Sequence, residues 1–106
     1  MNPSADTKLL VIIPAYNEEE SLARVVAGVQ AAVPRADVVV INDGSRDRTP
    51  LIAEHSGATV VSLPYNLGIG AAMQTGFMLA RARDYQVVVQ VDGDGQHDPR
   101  EIPVLV

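Results

Sequence analysis

Apolar positions along the chain come in short blocks separated by polar segments. Residues 8–13 form a compact run that ends in Val11, Ile12 and Ile13, and Pro14 closes it. A run rich in β-branched residues predicts a buried strand. Between 17 and 33 the spacing changes. Leu22, Val25, Val26, Val29 and Val33 recur at helical intervals and make one face of a helix apolar. Asn17 followed by Glu20 gives a capping-box pattern for its start, Glu18 and Glu19 suit the positive end of the helix dipole, and Pro34 ends it. Residues 37–41 predict a second strand. Thr49 and Pro50 predict an N-cap with proline at the first helical position of a short helix to about 56, with Gly57 as its C-cap. A third strand is expected over 58–63, a helix over 71–83 and a fourth strand over 86–91; a polar loop follows over 92–99, and Pro99 opens a further helix.

Strand and helix alternate throughout, and the strands are apolar on both faces. This predicts an α/β architecture: a parallel, Rossmann-like sheet with flanking helices and right-handed crossovers. The 106 residues allow at most one domain, with 1–7 as an N-terminal tail and 8–106 as the folded unit. A hydrophobic content of 47% with 20% charged residues excludes a disordered chain. The absence of cysteine excludes disulfides, thiolate metal sites and a cysteine nucleophile, and it fits a reducing compartment. A net charge of −5 argues against a nucleic-acid partner. The longest strongly apolar run, 9–13, is far short of the ~20 residues that span a bilayer. The first residues show no basic segment followed by an apolar stretch, so no signal peptide is expected.

Each predicted strand ends in a segment of special composition: PAYNE at 14–18, NDGS at 42–45, PYNLG at 64–68 and DGD at 92–94. In a parallel sheet these four segments share the carboxyl edge, where ligands of open α/β sheets bind. The opposite strand ends carry nothing comparable. Asp92 and Asp94, one residue apart after a strand, can point the same way and offer hard oxygen ligands suited to Mg²⁺ or Mn²⁺ on a diphosphate. The other reading of DGDG is an acidic turn that caps itself. An EF-hand is excluded, because Pro103 stands where its bidentate Glu belongs. Asp43 can accept from a ribose hydroxyl or a base N–H, or cap the next helix. Gly68 and Gly70 before a helix suit either a phosphate cradle or close helix–sheet packing. The dinucleotide fingerprint fails, because Met73 replaces its third glycine, and no P-loop motif occurs. His55 reads as structural. His97, three residues after Asp94, reads as a third ligand or a loop residue, and Met73, Phe77 and Met78 as core. Arg81 and Arg83 are accounted for by the dipole of a helix C-terminus.

Four stretches, VIIPAYNEEESL at 11–22, VVVINDGSRDRT at 38–49, NLGIGAAMQTGF at 66–77 and VQVDGDGQHDP at 89–99, together resemble the family 2 glycosyltransferases of the GT-A fold. Within them the chain looks most like the polyprenyl-phosphate (dolichyl-phosphate) sugar synthases. The resemblance implies that Pro14, Ala15, Tyr16 and Glu18 line the nucleotide pocket and that Asp43 contacts the nucleoside. It implies that Asp92 faces the nucleotide sugar, that Asp94 ligates Mg²⁺ or Mn²⁺ on the diphosphate, and that Gln96 lies beside that metal. The donor would be UDP- or GDP-linked. Transfer would invert the anomeric carbon, and a lipid phosphate would be the acceptor. The location would be cytoplasmic, at the membrane face in a full-length protein. A complete domain of this family is about twice this length. The chain is therefore expected to hold the donor and metal site, to be inactive alone and to self-associate through an open sheet edge. A sugar-nucleotide pyrophosphorylase would need a Gly-rich basic loop where 14–19 reads PAYNEE. A receiver-like binding module would need a lysine at the carboxyl edge, and the one lysine, Lys8, begins the first strand.

Overall fold

The computed structural model of the chain describes residues 7–95. Four strands, β1 (Leu9–Ala15), β2 (Asp37–Asn42), β3 (Thr59–Ser62) and β4 (Val87–Gln90), alternate with three helices, α1 (Leu22–Ala32), α2 (Thr49–His55) and α3 (Ile69–Ala82). The strands form one parallel sheet in the order β3-β2-β1-β4. The expected α/β architecture is borne out. All four carboxyl ends consequently lie on one edge.

Successive strand residues face opposite sides, so the apolar runs supply two cores. Val11, Ile13, Val38, Val40, Val87 and Val89 pack with Leu22, Val25, Val26 and Val29 of α1 and Ala53 of α2. On the other face Leu10, Ile12, Val39 and Ile41 pack with Ala72, Met73 and Ala80 of α3. Each fully buried Ile or Val contributes about 1.5–3 kcal/mol relative to exposure. The central strands β1 and β2 therefore hold the platform on which the loops stand.

β1 runs to Ala15, two residues past its expected end at Ile13. Parallel ladders bond alternate residues to opposite neighbours. Val91 N–H donates to the Ile12 carbonyl at 3.0 Å and Asp43 N–H to the Ala15 carbonyl at 2.9 Å. Pro14 therefore faces the side of Ile12, where β4 has already ended, and its missing N–H forfeits no ladder bond.

α1 begins at Leu22, with Ser21 as N-cap, and not at Asn17. Asn17 adopts φ 51° and is engaged elsewhere, as described below. On α3, Met73 is buried as expected, but Phe77 and Met78 are 52% and 66% exposed. Ala72, Gly76 and Ala80 take the sheet-facing positions instead. Gly76 also supplies the close helix–sheet approach anticipated at Gly68 and Gly70. A Cβ there would lie 2.7 Å from Ile12 Cδ1 and Cγ2, whereas one at Gly70 would meet nothing within 4 Å. The two glycines of one helix should therefore respond with opposite sign. Gly76→Ala is expected to lower stability by about 1–3 kcal/mol, overpacking outweighing the gain in helix propensity. Gly70→Ala is expected to raise it by about 0.5–1 kcal/mol. Urea unfolding of both variants checks the pair.

At the far edge of the sheet, the Tyr85 hydroxyl donates to Asp37, and the Lys8 ammonium lies 4.6 Å from the Tyr85 ring centroid. Burial and the neighbouring Asp37 carboxylate raise the Tyr85 pKa. This edge is a structural clasp for the chain start. Among the described residues, no helix is long and apolar enough to cross a membrane.

Candidate functional site

The four post-strand segments converge on a cleft of about 320 Å³ at the carboxyl edge. Pro14, Ala15, Tyr16, Glu18, Asp43, Asp92 and Asp94, all singled out from the sequence, line it. Gln96 and His97 lie outside the described residues. Asn66, Ile69 and Ala72 also line the cleft and had been given no role there, although Asn66 stands inside the third post-strand segment.

The segment after β1 is tied to the segment after β2. Asn17 N–H donates to Ser45 Oγ at 3.0 Å, and the Asn17 side-chain oxygen accepts from Arg46 N–H at 2.9 Å. Glu18 N–H donates to Thr49 Oγ1 at 2.8 Å. The fully buried Thr49 hydroxyl in turn donates to Asp47, whose other carboxylate oxygen accepts from Glu19 N–H at 3.3 Å. Thr49 is thus the first residue of α2, not its N-cap. Its hydroxyl holds the backbone that presents Glu18 to the cleft.

Asp43 is buried at 4% exposure, and its carboxylate accepts from Leu67 N–H at 2.8 Å and Gly68 N–H at 2.9 Å. It does not cap α2. It joins the end of β2 to the start of α3, and it occupies the Gly68 N–H that a phosphate cradle would use. Each carboxylate oxygen can accept a further hydrogen bond.

Asp92 and Asp94 both reach the cleft, but not through strand alternation. β4 ends at Gln90, and Gly93 and Asp94 form a turn. Asp92 accepts from the Gln90 side-chain amide at 3.1 Å, and Asp94 is exposed. Burial raises the Glu18 pKa, and the nearby carboxylates of Asp94, Asp47 and Asp92 add to the rise. Burial also opposes the charge of Asp47, yet the Thr49 hydroxyl and the N–H groups of Thr49 and Glu19 hold its pKa below the ordinary value.

These shifts have opposite consequences for stability. A raised folded-state pKa makes the proton bind more tightly in the folded chain, so the ionised Glu18 costs stability once pH rises through that pKa. Glu18→Gln is expected to raise the melting midpoint at pH 7, and the gain should vanish as pH falls below the ordinary carboxylate range. Asp47→Asn should lower the midpoint at pH 7, with the deficit closing as pH falls through its depressed pKa. Melting curves from pH 3 to 8 check both signs.

Among the described residues, no three His, Cys, Asp or Glu side chains gather into a metal site. A closed protein cage is therefore not what they form. Mg²⁺ and similar ions are ordinarily held by one or two carboxylates, waters and substrate phosphates. Asp94 on an exposed turn, with Asp92 and Glu18 around the same cleft, fits that shared mode.

The profile of the family described as "Glycosyl transferase family 2" matches residues 10–106. The polyprenol monophosphomannose synthase of Mycolicibacterium smegmatis is 37% identical over 105 residues, which cover 93% of this chain and 40% of that protein. The undecaprenyl-phosphate mannosyltransferase of Micrococcus luteus is 38% identical over 104 residues, covering 93% of this chain and 43% of that protein. The chain thus spans about two fifths of the length of these relatives. Glucosyl-3-phosphoglycerate synthase from Mycobacterium tuberculosis, solved in complex with Mn²⁺, UDP and glucosyl-3-phosphoglycerate, superposes with a TM-score of 0.69 at 30% identity. The match covers 84% of this chain and 34% of that one. The parallel sheet and flanking helices are those of a GT-A glycosyltransferase, as the sequence led us to expect.

Proposed function

The chain belongs to glycosyl transferase family 2, and from that premise we propose that its cleft binds the nucleotide-diphosphate sugar of a polyprenyl-phosphate glycosyltransferase. The observation that carries this reading is the meeting of all four post-strand segments in one cleft, with Asp92 and Asp94 on its wall. Pro14, Ala15, Tyr16 and Asp43 would receive the nucleoside, Asp92 the sugar side of the diphosphate, and Asp94 a divalent ion. Gln96 is proposed beside that ion from sequence alone. A bound Mg²⁺ or Mn²⁺ would supply Lewis-acid stabilisation of the departing diphosphate. The M. tuberculosis complex with Mn²⁺ and UDP supports both the metal and the nucleotide class.

The two relatives, named for polyprenol monophosphomannose and undecaprenyl phosphate, support a lipid-phosphate acceptor. In the proposed reaction an acceptor phosphate oxygen forms a bond to the anomeric carbon. The bond from that carbon to the donor diphosphate breaks, and the diphosphate leaves with the electron pair. A single displacement inverts the anomeric configuration. The acceptor oxygen is already ionised, so the step needs no strong base. Because the acceptor is a membrane lipid, we place the reaction at the cytoplasmic face of a membrane. β4 pairs only with β1 among the described residues, and we propose that its outer edge supports self-association of the chain as it stands.

Melting the chain with UDP, GDP and CDP, each with and without Mn²⁺, tests the reading. One nucleotide is expected to raise the midpoint more with Mn²⁺ than without it, by about 2.7 kcal/mol of stabilisation at a hundredfold excess over Kd. A sample that melts cooperatively and responds to none of them would overturn it.

A further inference from the structure

Ser21 is the N-cap residue of α1, yet its side chain makes no capping bond to that helix. Its hydroxyl instead donates to the Gly93 carbonyl at 2.6 Å, across 72 positions of sequence. A hydroxyl has one proton to give. Glu18 Oε2, at 3.4 Å, is the more distant partner, so that proton belongs to Gly93. Ser21 and Gly93 are both buried.

The donor stands on a rigid base. Glu18 carbonyl accepts from Ser21 N–H at 3.1 Å and from Leu22 N–H at 2.9 Å, and Leu22 is fully buried in the core under α1. The acceptor stands at the centre of the turn that carries the two carboxylates. β4 makes its last ladder bond at Val91, and Gly93 is packed against the Pro14 carbonyl and Ala15 Cβ. The Ser21 hydroxyl therefore holds the peptide between Asp92 and Asp94 after the sheet has let it go. We propose that Ser21 is a positioning residue: by fixing the Gly93 carbonyl it sets the direction in which Asp94 meets the donor's metal. This rests on the donor-site reading above. Groups that orient a metal ligand without touching the metal are worth about 10–100-fold in metal affinity.

The test is calorimetric titration of UDP and of GDP into the chain, with and without Mn²⁺, for wild type, Ser21→Ala, Ser21→Thr and Ser21→Cys. Ser21→Ala is expected to leave metal-free nucleotide affinity unchanged and to cut the Mn²⁺-dependent gain by about 10–100-fold. Ser21→Thr keeps the hydroxyl and should stay within a few-fold of wild type. Ser21→Cys, similar in shape but slightly larger and a weak donor, should fall between, and it carries the test if Ser21→Ala does not fold. An undiminished Mn²⁺-dependent gain in Ser21→Ala, or equal losses with and without metal, would overturn the inference alone. A wild-type chain with no Mn²⁺-dependent gain would overturn the donor-site reading and this inference with it.

Discussion

Asp94→Ala is expected to abolish Mn²⁺-dependent nucleotide binding by the chain and, under the proposed function, to reduce sugar transfer at least about 100-fold. A metal on a departing diphosphate supplies several kcal/mol of charge stabilisation, and each 1.36 kcal/mol is a factor of ten. Asp94 is exposed on its turn, so removing its side chain opens no cavity in the core. Folding should survive. Binding would thus be lost while the fold is kept. Glu54→Ala removes the same charge from an exposed position on α2, remote from the cleft segments, and should leave binding unchanged. Titrations of the two variants side by side separate a ligand role from a net-charge effect.

Gly44→Ala should have the largest effect on stability. Gly44 has φ 70°, where an L-residue pays about 1–2 kcal/mol. A Cβ there would overlap backbone atoms of Tyr65 and Asn66, which cannot rotate away as a side chain could. Strain and overlap together are expected to cost about 2–5 kcal/mol, a large part of the 5–15 kcal/mol that typically holds a domain together. The melting midpoint should fall by about 10 °C or more. Because Asn66 lines the cleft, nucleotide affinity should fall as well, in the folded fraction that remains. Thermal unfolding followed by far-UV circular dichroism checks the first effect and nucleotide titration the second.

The sheet was legible because its strands are short Val/Ile runs bounded by Pro, Gly and Asn, a signal carried by local composition. The site was legible at the level of segments, since a parallel topology sends every strand's carboxyl end to one edge. What escaped was set by contacts far apart in sequence. Asn17 and Glu20 look like a capping box, but Ser45 and Arg46, 28 and 29 positions away from Asn17, claim it and move the helix start to Leu22. Asp43 finds its partners at Leu67 and Gly68, 24 and 25 positions on, which no local turn rule foretells. α3 carries apolar residues around much of its circumference, including Ile69, Phe77 and Met78. Apolar spacing therefore could not say that the small residues Ala72, Gly76 and Ala80 would face the sheet. The carboxylates of Asp92 and Asp94 do share the cleft, but a turn brings them there where strand alternation had been the expected cause.

The central claim is that four separate segments build one donor and metal site around Asp94. Paramagnetic broadening by Mn²⁺ in the amide spectrum of the isotope-labelled chain, with saturating UDP or GDP, measures this most directly. The account predicts the strongest broadening at amides of 15–18, 43–44, 66–69 and 92–95, lost in Asp94→Ala, with the far-edge residues Lys8, Asp37 and Tyr85 the least affected. Broadening centred elsewhere, or broadening that survives Asp94→Ala unchanged, would contradict it.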